Sequence, residues 1–87
     1  MKKVLMMIQE ACPYCKKALK LMDELKEENS GYEQVDVEIV DENRNPLIAQ
    51  DLNYWYVPTY FVDGEKLHEG VPTKEAIKKV YEAALEN

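Results

Sequence analysis

Val4-Leu5-Met6-Met7-Ile8-Gln9-Glu10-Ala11-Cys12-Pro13-Tyr14-Cys15 is the stretch on which the fold turns. Its first five residues are apolar without interruption, the pattern of a strand buried on both faces. Residues 9–12 make a short connection. From Pro13 to about Glu28 the period becomes helical. Cys15, Ala18, Leu19, Met22 and Leu25 recur at spacings of three and four, while Lys16, Lys17, Lys20, Asp23 and Glu24 face water. Pro13 suits the first helical position, where a missing N–H does no harm. Asn29-Ser30-Gly31 ends the helix, with Gly31 free to take a positive φ.

Downstream, Val35, Val37 and Ile39 alternate with Gln34, Asp36 and Glu38, which predicts a half-buried strand whose acids suit a sheet edge. Asp41 to Asn45 is a turn, Asn45 an N-cap and Pro46 the first residue of a short helix over about 46–52, with Leu47, Ile48 and Leu52 inward. Tyr54-Trp55-Tyr56 leads to Val57-Pro58. Thr59–Val62 and Glu65–His68 read as strands joined by the tight-turn pair Asp63-Gly64. Gly70-Val71-Pro72-Thr73 precedes a last helix, with Thr73 as N-cap and Ala76, Ile77, Val80, Tyr81 and Ala84 as its apolar stripe. The order is β-α-β-α-β-β-α. The first two strands flank a helix and should be parallel, with a right-handed crossover; the last two form an antiparallel hairpin. An α/β domain over residues 1–87 follows, a mixed sheet with helices on both faces.

The formal net charge of −6 and the scattered lysines exclude a nucleic-acid partner, since no basic stripe exists to neutralise phosphates. No apolar run approaches the roughly 20 residues of a membrane span. Met1-Lys2-Lys3 before Val4–Ile8 superficially resembles a secretion signal, but the apolar run is too short and no cleavage site follows, so the cytoplasm is the expected location.

The chain has two cysteines, three positions apart. In a βαβ setting such a pair reads as a redox couple. The thiolate is the attacking species in disulfide exchange, and a helix N-terminus favours negative charge through its unpaired N–H groups and dipole. Cys12 immediately precedes the helix and is the expected exposed nucleophile. Cys15, about one turn on and partly covered, can resolve the mixed disulfide. Lys16 and Lys17 add positive potential in the same turn, and Glu10 opposes it. Two other readings stand beside this one. The pair could be half of a zinc or iron–sulfur site, but such sites usually need four ligands and the only other soft ligand is His68, so Cys12 and Cys15 would have to come from paired chains. It could be a structural disulfide, yet so short a loop constrains the unfolded chain little.

Over nearly its whole length the chain resembles glutaredoxins and small thioredoxin-like proteins. Cys12-Pro13-Tyr14-Cys15 is similar to the active site of dithiol glutaredoxins, and Val57-Pro58 to the family's Val-Pro element with a cis peptide bond. The Asp63-Gly64 hairpin and the final helix follow where the family has them. The resemblance implies a thioredoxin-like fold, a four-stranded mixed sheet with three helices. It also implies reduction of protein disulfides or of mixed glutathione disulfides. No tightly bound cofactor is implied; glutathione would be a co-substrate, and glutathione or a thioredoxin-type reductase the electron donor to a monomer. Substrate would lie along Tyr14, Tyr56, Val57, Pro58 and Gly70, pairing with the Val57 backbone by strand addition.

The chain departs from the family at several positions. Glu69 replaces the first of the Gly-Gly pair usual in glutathione-binding members, and no acid stands after Gly70 to meet the γ-glutamyl ammonium group. Tyr56 stands where threonine is common, and Gln9-Glu10 where lysine, threonine or serine is usual. Glutathione is an anion, so Glu10 and Glu69 would oppose it if they lie near the site. The segment Val35 to Asn43 is similar to thioredoxins, but the Trp-Cys-Gly-Pro-Cys signature is absent.

The remaining residues have plainer readings. Tyr14 contacts substrate or is a surface tyrosine. Tyr54, Trp55 and Tyr56 form an aromatic wall by Pro58, with at least one in the core. His68 is a solvated or edge residue, Met6, Met7 and Met22 fill the core, and Asp41 to Asn43 is an acidic surface turn.

Overall fold

Strand β1 (Val4–Ile8) is uniformly apolar because it runs through the interior of the sheet. The computed structural model describes residues 1–86; Asn87, the last residue of the expected domain, lies outside the described residues. After β1 come α1 (Pro13–Glu28), β2 (Val37–Asp41), α2 (Pro46–Gln50), β3 (Thr59–Val62), β4 (Glu65–Glu69) and α3 (Lys74–Leu85). The four-stranded sheet has the order β2-β1-β3-β4. β1 pairs in parallel with β2 and antiparallel with β3, and β3–β4 is the antiparallel hairpin. At its tip Asp63 and Gly64 have φ of 52° and 86°, the left-handed pair that a two-residue hairpin turn requires.

Strand alternation divides the core in two. Val4 and Met6 of β1 and Tyr60 and Val62 of β3 face α1 and α3, meeting Ala18, Met22, Leu25, Ile77, Val80, Tyr81 and Ala84. Met7 and Phe61 face the other way, with Val40, and are covered by Ala49, Leu52, Tyr54 and Val57. Helices therefore lie on both faces. Thr73 caps α3 as its sequence position implied, accepting from the Ala76 amide at 3.1 Å.

Expectations from the sequence need correction in three regions of the chain. The alternating segment does not begin a strand at residue 34. Ser30–Gln34 is a 3₁₀ turn, capped by Asn29, whose side chain accepts from the Gly31 amide at 2.9 Å, and the strand runs from Val37 to Asp41. The turn carries Tyr32 inward, where its ring stacks on Tyr81 at 4.9 Å and its hydroxyl donates to Glu82. Burying that ring outweighs local alternation. Ile39 is left 46% exposed on the edge strand. Gly31 is not among the positive-φ glycines, which are Gly64 and Gly70, because the chain leaves α1 through an extended Asn29.

The second helix is shorter than 46–52, and Leu47 and Ile48 do not point inward: they are 77% and 40% exposed. Little more than one turn of helix can offer only a narrow stripe, and Ala49 occupies it, with Leu52 beyond the end. Asn45 precedes the helix without a side-chain cap bond. The third correction is in β4, which extends to Glu69. Its ladder steps from Tyr60 opposite His68 to Phe61 opposite Lys66, which leaves Leu67 as an extra, bulged residue.

Among the described residues, no protein group hydrogen-bonds to the buried Tyr81 hydroxyl. An unmet buried donor is costly, so Tyr81→Phe is expected to stabilise the protein by about 1 kcal/mol. A urea midpoint for that variant below the wild-type value would show that the hydroxyl is bonded after all.

Candidate active site

Cys12 sits where the chain leaves the β1 connection and enters α1. Its backbone is extended, its amide donates to the Gln9 carbonyl, and its own carbonyl accepts from the Cys15 and Lys16 amides at 3.1 and 3.2 Å. Pro13 is the first helical residue, and no acidic side chain lies in the first turn. No carboxylate within that turn counters the helix dipole at Cys12; Glu42, whose charge is felt at Cys15, comes from the turn after β2. Lys16 and Lys17 are exposed on that turn, as is half of Tyr14. Glu10 points its charge at Arg44, 2.8 Å away, rather than standing alone beside the thiols.

Both cysteines are thiols, and they differ in access. Cys12 is half-buried; Cys15, inside α1, is 2% exposed. Burial pushes the Cys15 thiol up to about 11, with the neighbouring Cys12 sulfur and the Glu42 charge acting in the same direction and the Gln9 backbone opposing them. This shift links stability to pH. The folded dithiol holds its proton to higher pH than an unfolded cysteine at 9.0, so unfolding releases a proton in between. The contribution is present below pH 9 and is lost as pH rises to about 11. Urea midpoints of the reduced protein are expected to fall across that window more than those of the disulfide form, in which neither sulfur titrates. Parallel curves would contradict it.

Opposite the helix end, the Val57–Pro58 peptide bond is cis, as the resemblance implied. The Cys12 Sγ lies 3.9 Å from the Val57 carbonyl oxygen, to which it donates. Gly70 donates its amide to the Pro58 carbonyl at 2.9 Å and has φ +92°; a β-carbon there would stand 3.9 Å from the Tyr56 β-carbon. Cys12, Tyr56, Val57, Pro58 and Gly70 are thereby gathered at one end of the sheet. Trp55 and Tyr56 are 84% and 70% exposed, whereas Tyr54 packs edge-on against Phe61 and donates its hydroxyl to Glu42 at 2.6 Å. His68, on the β4 edge, is half-buried with its Nε2 3.0 Å from the Val71 carbonyl oxygen.

Two carboxylates matter more than their sequence positions suggested. Glu42 accepts from Tyr54 and from Gln9, tying the end of β2 to the connection before Cys12. Glu69 pairs with Lys66 at 2.7 Å and accepts from the Trp55 and Tyr56 amides, the latter at 2.9 Å. The Lys66 ammonium and these two amides hold its carboxyl down to about 2. No local signal marks Glu42; Glu69 is visible in the sequence only as a departure from a glycine pair. Among the described residues no three metal-ligating side chains converge, so a metal bound by Cys12 and Cys15 would need ligands from a second chain. No described helix is long and apolar enough to cross a membrane.

Comparison with known proteins agrees with this architecture. A model described as "Thioredoxin domain" matches residues 2–82. The chain is 31% identical over 74 residues to a thioredoxin of Methanocaldococcus jannaschii, covering 85% of each. Its backbone matches oxidised thioredoxin from Plasmodium falciparum with a TM-score of 0.70 at 19% identity, over 98% of this chain and 82% of that one. It matches a mutant thioredoxin from Halobacterium salinarum NRC-1 with a TM-score of 0.70 at 23% identity, over 99% and 76%. The two structural likenesses establish a thioredoxin-like fold. They and the sequence matches are to thioredoxins, a coarser grouping than the glutaredoxin-like reading of Pro13-Tyr14. With the domain match running through all four strands and most of α3, this chain, with its Cys-X-X-Cys pair, belongs to the thioredoxin-domain family.

Proposed function

We propose that the protein is a thiol–disulfide oxidoreductase that reduces disulfides in other proteins. The observation that carries this reading is the unequal placing of the two sulfurs. Cys12 is accessible at a helix N-terminus beside the Val57 carbonyl, and Cys15 is buried one turn behind it. The Cys12 thiolate attacks one sulfur of the substrate; that S–S bond breaks, and the leaving thiolate takes a proton. The resulting mixed disulfide joins Cys12 to the substrate. Cys15 then loses its proton and attacks the Cys12 sulfur, which releases the second substrate thiol and leaves a Cys12–Cys15 disulfide. Two electrons pass from the dithiol to the substrate.

Loss of the Cys12 charge in the mixed disulfide removes one of the influences that keep Cys15 protonated. Resolution is thereby favoured only after attack. We read the protein as a cytoplasmic monomer without a tightly bound cofactor, with Tyr14, Tyr56, Val57, Pro58 and Gly70 lining the substrate path and Lys16 adding positive potential. Reduction of insulin disulfides at neutral pH tests the activity; a rate no higher than that of the chemical reductant alone would overturn it. The Pro13-Tyr14 pair speaks for glutathione as donor, and so for mixed glutathione disulfides as substrates. The thioredoxin relatives speak for a thioredoxin-type reductase. Recycling of the oxidised form by each separates the two.

A further inference from the structure

We propose that Glu69, with Lys66, is a positioning pair that holds the backbone of residues 53–56 and so sets where the Val57 backbone and the Trp55 and Tyr56 side chains meet a substrate docked on Cys12. The proposal rests on the oxidoreductase reading and extends it to residues outside the redox motif.

Residues 53–58 belong to no helix or strand, yet they carry the groups that face Cys12. Their backbone polar groups need partners from elsewhere. One Glu69 oxygen accepts from both the Trp55 and Tyr56 amides, and the other meets the Lys66 ammonium at 2.7 Å. That ammonium also donates to the Asn53 carbonyl at 3.2 Å. Three backbone groups within four consecutive residues are thus held by one ion pair. Bonds from N–H groups to a carboxylate are stronger than neutral ones, and the next residue in the chain is Val57.

Residues three apart on a regular strand point to opposite faces and cannot pair this way. The bulge at Leu67 removes that obstacle. Lys66 stands opposite Phe61, and Glu69 opposite Thr59, and those two partners share one face of β3. It is the face against which Tyr54 and Val57 pack. The extra residue in β4 therefore turns an ammonium and a carboxylate toward the loop together. The carboxylate takes the amides of Trp55 and Tyr56, and both side chains stand exposed.

The loop holds the body of the substrate, not the reacting sulfur, so losing the clamp should weaken docking and leave the chemical step alone. Glu69→Ala removes both acceptors; Glu69→Gln keeps one oxygen for the amides but ends the ion pair. For reduction of insulin, the alanine variant is expected to raise KM roughly tenfold, with kcat within about twofold of wild type. The glutamine variant is expected to recover most of that loss. Amide hydrogen exchange at Trp55 and Tyr56 should speed up at least tenfold in the alanine variant, while alkylation of Cys12 by iodoacetamide, which needs no loop contact, stays at the wild-type rate. Unchanged KM despite faster exchange, unchanged exchange, or a loss confined to kcat would each overturn the proposal. Should the alanine variant fail to fold, Lys66→Met, which frees the Asn53 carbonyl and removes the cation from Glu69, is expected to raise KM about threefold with kcat unchanged and to speed exchange at Trp55 and Tyr56, and wild-type KM and exchange in that variant would overturn the proposal. Wild-type protein that reduces no disulfide would remove the oxidoreductase reading itself, and amide exchange would still decide whether Glu69 holds the loop.

Discussion

Cys12→Ser is expected to lower disulfide reduction by at least about a thousandfold, to the rate of the chemical reductant alone, with the thermal midpoint little changed. A serine hydroxyl can form no disulfide with the substrate, and the buried thiol of Cys15 is no substitute. That sulfur is 2% exposed and, with its thiol pushed up to about 11, holds almost no negative charge at neutral pH. Cys15→Ser should fail differently. The first attack remains possible, so a protein substrate should accumulate as a covalent adduct through Cys12, visible on a non-reducing gel and released by dithiothreitol. Turnover on glutathionylated substrates would survive in Cys15→Ser if glutathione can resolve the adduct from outside. Substantial insulin reduction by Cys12→Ser would mean that the roles are reversed or the chemistry lies elsewhere.

The second large effect is on stability. Tyr60 is fully buried at the centre of β3, opposite Met6 and beneath α1, and its hydroxyl donates to the Met22 sulfur at 3.2 Å. Truncation to alanine removes an aromatic ring from a face whose other members are fixed by two helices and two strands, so the cavity cannot close. The loss should be about 3–5 kcal/mol. A domain of this length has roughly 4–13 kcal/mol in all, so Tyr60→Ala should be largely or wholly unfolded at 37 °C by far-ultraviolet circular dichroism. Tyr60→Phe keeps the ring and gives up only a bond to a weak acceptor, and should stay within about 1 kcal/mol of wild type. If the phenylalanine variant were as unstable as the alanine one, the hydroxyl and not the packing would be what matters at this position.

Both effects rest on features that a reader of the chain can find, in different degrees. The redox pair, the helix that follows it and the hairpin at Asp63-Gly64 are legible because each is a local pattern. A proline at the first helical turn, a period of three to four, and a tight-turn dipeptide act over a handful of residues. The core assignments of Ala18, Met22, Ile77, Val80 and Tyr81 follow from the same periodicity. The outward placing of Leu47 and Ile48 is not legible for want of length, since a single helical turn carries too little pattern to show which side meets the sheet. The start of β2 is masked in the chain because Gln34 to Ile39 alternates well, yet Tyr32, just before it, is drawn inward to stack on Tyr81.

The order of elements and the spacing of the two sulfurs by one helical turn are written in the chain, because they depend on near neighbours. What surrounds them is set by the folded arrangement. Val57 reaches Cys12 from 45 positions away, Glu10 is met by Arg44 from 34 away, and Glu69 grips the backbone before Val57 across the end of the sheet. Such contacts depend on how strands are ordered and where a ladder slips by one residue at Leu67, and register is a property of two strands together that neither carries alone.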